Sequence, residues 1–86
     1  MCKLYTLDNQ FIKESMLIPH NFTGIVEYYS GSKVWYTEGK RHRIGGPAVD
    51  LVTTRGPVIG WFIHDVECTE EQHALLVDMM KLKGLA

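Results

Sequence analysis

With 86 residues, the chain has room for one hydrophobic core and no second domain. Hydrophobic residues make up 45% of it and charged residues 22%, the balance of a folding chain rather than a disordered tail. A formal net charge of −1 excludes a polycation, and no apolar run approaches the ~20 residues that a membrane-spanning helix needs. The first residues hold no apolar stretch of the signal-peptide kind, so the expected location is the cytoplasm, with no membrane partner. Cys2 and Cys68 are two distant thiols, which is not the pattern of a disulfide scaffold.

Residues 3–7 are rich in β-formers and predict a short strand, followed by a turn at Asp8, Asn9 and Gln10. Residues 11–18 fit a helical stripe or a strand. Ile18 before Pro19 tips the reading to strand, because a residue preceding proline avoids the α region. Residues 22–29 and 33–37 read as a hairpin across Ser30, Gly31 and Ser32. Residues 41–46 read as a loop. Two further strands follow at 48–53 and 58–63, separated by a turn at Thr54, Arg55, Gly56 and Pro57. The pattern then changes. Thr69 with Gln72 three residues later, and Glu70 and Glu71 between them, start a helix over 69–83 that ends near Gly84. Leu75, Leu76, Met79 and Met80 form its apolar stripe and are expected to dock it on the sheet. The predicted architecture is α+β: one domain, a twisted antiparallel β-meander of two hairpin repeats over 22–67 with a C-terminal helix packed on the sheet.

The repeat is visible in the aromatics. Trp35-Tyr36 and Trp61-Phe62 recur 26 positions apart, each after a Gly-containing turn. Alternation along a strand points one of each pair inward and the other outward. The tryptophans are expected in the core, and Tyr36 and Phe62 outside as an interface.

The segment 35–48, WYTEGKRHRIGGPA, resembles a hairpin repeat of phage and bacterial proteins, W-Y-x-N-G-K-x-H-R-x-D-G-P-A, distantly similar to MORN repeats. Glu38 stands where the pattern has Asn and Gly45 where it has Asp. The second unit reads Asp65-Val66-Glu67 where the first has its basic loop. The resemblance implies a β-rich repeat module, a small phage-type accessory protein and a structural role for His42, Gly46 and Pro47. It implies no known reaction.

Chemistry concentrates in the basic loop. Between 33 and 55 lie five basic residues, Lys33, Lys40, Arg41, Arg43 and Arg55, against two acids; between 65 and 78 lie five acids and no Lys or Arg. Arginine forks beside glycines suit phosphate oxygens, and neighbouring aromatics offer stacking faces for unpaired bases. RNA or another phosphate-bearing ligand is therefore the expected partner, coupled, on the resemblance alone, to inhibition of a host defence factor. The alternatives are a protein–protein inhibitor using the exposed aromatics and acidic helix, and a sponge for a nucleotide second messenger. The two glycines before Pro47 are not a P-loop, since the Lys-Ser/Thr signature and following helix are missing. The four histidines and two cysteines have no metal-ligand spacing, and no serine lies in a nucleophile elbow. Neither a catalytic residue nor a metal or cofactor is expected. Unpaired sheet edges with outward aromatics predict a homodimer.

Overall fold

A computed structural model describes residues 1–84 and has an α+β fold: eight antiparallel strands and one C-terminal helix packed on them. The strands are β1 (Cys2–Tyr5), β2 (Phe11–Ser15), β3 (Gly24–Tyr28), β4 (Lys33–Thr37), β5 (Lys40–Arg41), β6 (Val49–Thr53), β7 (Gly56–Ile63) and β8 (Val66–Cys68), followed by α1 (Glu70–Leu82). Their order is β2-β1-β3-β4-β6-β7-β8, with β5 paired to β4. The ambiguous stretch after residue 10 is a strand only to Ser15, and it forms the outer edge of the sheet. Ile12 is an extra residue there, since Leu4 faces Lys13 while Tyr5 faces Phe11.

The internal repeat is a repeat of turn geometry. Two-residue turns join β4 to β5 and β7 to β8, and both central residues of each have positive φ: Glu38 (51°) and Gly39 (79°), then His64 (47°) and Asp65 (71°). That is the type I′ pattern, whose twist matches the flanking strands. Gly39 is required for a second reason: a Cβ there would strike the carbonyl of His20. Each turn returns the chain as a short strand, β5 or β8, neither of which stands out in the sequence.

The core is small. Cys2, Leu4, Phe22 and Val26 form it, with Ile18 and Tyr36 packed against them. Ile18 and Phe22 come from the connection between β2 and β3, which folds over this face. The expected facing of the aromatics is reversed. Tyr36 packs on the core, and Phe62, expected outside, is 7% exposed. Gly60 makes the space for Phe62, because a Cβ there would lie 2.8 Å from its ring. Trp35 and Trp61 lie on the other face, half-buried. The turn between β6 and β7 is shorter than expected: Thr53 already pairs with Gly56, so Gly56 and Pro57 belong to β7.

Helix α1 begins with the capping box: Gln72 N–H donates to Thr69 Oγ1 at 3.1 Å, and Thr69 N–H to Gln72 Oε1 at 3.0 Å. Its last turn closes on Gly84, whose N–H reaches Lys81 O at 3.1 Å with φ 70°. The docked face is not the expected one. His73 and Val77 are buried and Met80 is half-buried, whereas Leu75, Leu76 and Met79 are exposed. The reason is a single tether. His73 Nε2 donates to the carbonyl of Arg43 at 2.6 Å, and its ring packs 4.9 Å from that of Trp61. With His73 held, positions 77 and 80 share its face, and the leucine stripe turns away.

Candidate functional site

The basic segment 40–43 lies at the junction of both hairpin units and the helix. Its backbone bridges two strands: His42 N–H donates to Trp35 O at 3.1 Å, Arg43 N–H to Phe62 O at 3.3 Å, and Asp65 N–H to Arg41 O at 2.8 Å. What sequence reading treats as a loop is therefore a short strip of sheet between β4 and the end of β7.

Its side chains are turned to the same task. Arg41 Nε donates to Asp65 Oδ1 at 2.7 Å, and the guanidinium lies 4.3 Å from the Phe62 ring centroid. That hydrogen bond holds the Asp65 carboxyl below its usual range. His42 is buried; its Nδ1 accepts the backbone N–H of His64 at 3.1 Å, and the two rings stack at 4.3 Å. Burial pushes the His42 imidazole below the usual histidine range, and charge on His64 and His73 adds to this. Arg43 lies 3.8 Å over the Trp35 ring and donates from Nη1 to Pro47 O at 3.2 Å. Gly46 leaves room for it, since a Cβ there would come within 3.0 Å of the guanidinium. Burial lowers the Arg43 pKa. Three consecutive side chains thus tie the second turn and the glycine loop to the first hairpin unit, and the Arg43 carbonyl ties the helix through His73.

The other cations do not join them. Lys40 is exposed on the same segment. Lys33 Nζ is 4.0 Å from Glu27 Oε2 on β3, a half-buried pair at the limit of ion-pair distance. Arg55 is exposed in the turn at the opposite end of β7, roughly 20 Å from Phe62 by strand length. The five basic residues are close in sequence and are not gathered into one patch.

Sequence reading missed Asp65 as the partner of Arg41 and His73 as the tether of the helix. The first was accessible: Asp65 is 26 positions after Gly39, so the repeat places it in the equivalent turn. The second had no local signal, because nothing between Arg43 and His73 links them except the fold.

Among the described residues no three His, Cys, Asp or Glu side chains are grouped to hold a metal ion, and no buried side-chain polar atom lacks a hydrogen-bond partner. A cleft of about 230 Å³ opens beside β1 and β3, with Cys2, Lys3, Glu14, Glu27 and Tyr28 among its lining. Cys2 Sγ there is committed to Ser15 O at 3.3 Å. No helix of the described residues is long and apolar enough to cross a membrane.

Exposed large apolar side chains are scattered over the described residues, Tyr29, Val52, Val58, Ile59 and Val66 among them, and they run in groups of four at two places. At the β2 edge they are Phe11 (57%), Ile12, Met16 (81%) and Leu17; on α1 they are Leu75, Leu76, Met79 and Leu82. Comparison of the chain with protein-family models, with curated proteins and with solved structures finds no match.

Proposed function

We propose that this chain is a small non-enzymatic binding protein that engages a protein partner along its edge strand β2. The observation that carries this reading is how the two candidate surfaces are used. Arg41 and Arg43, the best phosphate ligands in the sequence, are bound within the fold to Asp65, Phe62, Trp35 and Pro47. The β2 edge, by contrast, offers unpaired backbone groups flanked by exposed Phe11, Ile12, Met16 and Leu17. An extended segment of another protein adds to such an edge by main-chain hydrogen bonds, and alternate apolar side chains give selectivity. The resemblance to phage repeat proteins names a host defence factor as the class of partner.

The test is affinity capture from host cells with three forms of the full chain. The parent and Lys40→Ala/Arg55→Ala, a change at two exposed cations, are expected to retain the same protein; Ile12→Asp/Met16→Asp is expected to lose it. Amide exchange in residues 11–15 should slow in the reconstituted complex. If the alanine pair loses the partner, or the purified protein carries nucleic-acid absorbance at 260 nm that high salt removes, the RNA or nucleotide reading replaces this one.

A further inference from the structure

Gln72, Leu75, Met79 and Leu82 follow one another on α1 at spacings of three, four and three residues, with Leu76 at their flank. This is the spacing of a coiled-coil seam, in which side chains of one helix fill holes in another. Leu75 is 65% exposed and Leu82 88%, while His73 and Val77 on the opposite side of the helix are buried. A solvated seam of this kind lacks its partner.

We propose that the partner is a second copy of this chain, its α1 packed antiparallel on the first about a two-fold axis. Charge decides between self-pairing arrangements. Glu70 and Glu71 lie in the first turn, Lys81 in the last, and Lys83 caps the helix. Antiparallel copies set the acidic end of each helix beside the basic end of the other and oppose the two macrodipoles; parallel copies set like charges side by side. A two-fold also satisfies both copies with the same surface and leaves none open. In the register that centres the seam, Leu75 of each copy meets Met79 of the other. The β2 edges stay free, so this assembly uses a surface separate from the one proposed for the partner protein, and each is tested without the other.

Sedimentation equilibrium of the full chain reads the assembly. Two helices of 13 residues form less than a standard interface, so a dimer with a Kd of ~µM order is expected. Leu75→Glu/Met79→Glu should weaken association by ~100-fold or more, because both copies lose the centre of the contact. Its far-UV circular dichroism should be unchanged, both side chains being exposed in the single chain. Leu75→Cys and Met79→Cys proteins oxidised together should give the mixed disulfide dimer, while each alone gives little; peptide mapping separates these links from any made by Cys2 or Cys68. A parent chain that is monomeric at about 100 µM, a concentration well above that Kd range, overturns the proposal. So does a glutamate variant that is folded and still dimeric. Homodisulfides formed as readily as the mixed one overturn the antiparallel arrangement.

Discussion

His42 shows what one buried side chain can do in so thin a core. Its Nδ1 must be unprotonated to accept the His64 N–H, and burial already disfavours the charged ring. The folded chain therefore binds a proton less readily than the unfolded one, whose histidine titrates near ~6.5. As pH falls below that value the unfolded state takes up the proton first, so stability declines, and the decline ends beneath the folded pKa. The expected outcome is a Tm that drops between about pH 7 and about pH 5, the window in which an ordinary histidine titrates. His42→Gln, which keeps an acceptor without the titration, should show a smaller drop over that window. Equal drops in parent and variant would place the pH sensitivity in other groups.

At the scale of the element, α1 separates apolar pattern from apolar burial. Thr69 and Gln72 determine where it starts, but the His73 tether to Arg43 determines which way it faces. Val77→Asp puts a carboxylate into the contact with β7 and β8, a cost of several kcal/mol, comparable to the ~5 kcal/mol that holds a small domain together. Leu76→Asp, on the exposed side, should change the folding of the single chain by no more than ~1 kcal/mol. Urea titrations of the two variants read the difference directly. Equal losses would mean that the helix is docked by the stripe after all.

The whole molecule is a slab of 38 × 30 × 19 Å. One sheet with one helix and a few connections cannot cover both of its faces, and among the described residues only Leu4 and Val26 are fully buried large side chains. Stability from such a core is small, and association adds to it by mass action. The parent Tm should therefore rise with protein concentration, while that of Leu75→Glu/Met79→Glu should stay constant. A parent Tm independent of concentration across a hundredfold range would place its folding wholly within one chain.

The sequence by itself determined the class of fold, most of the strands, the capped helix and the repeat, because these depend on local preferences: alternation, turn residues and the Thr69–Gln72 box. The resemblance singles out His42, Gly46 and Pro47 as structural, while Arg43 reads as a phosphate ligand. Where the sequence misleads is in facing, since it puts the tryptophans in the core, Tyr36 and Phe62 outside and the leucine stripe against the sheet. Tyr36, not Trp35, shares a face with Ile18 and Phe22, and whether Leu75 or Val77 docks depends on a hydrogen bond between positions 43 and 73. Likewise the charge run at 40–43 reads as a solvated, ligand-ready patch until Asp65, Phe62 and Trp35 are brought against it. Periodicity along a chain records which side chains share a side; only long-range contacts decide what that side meets.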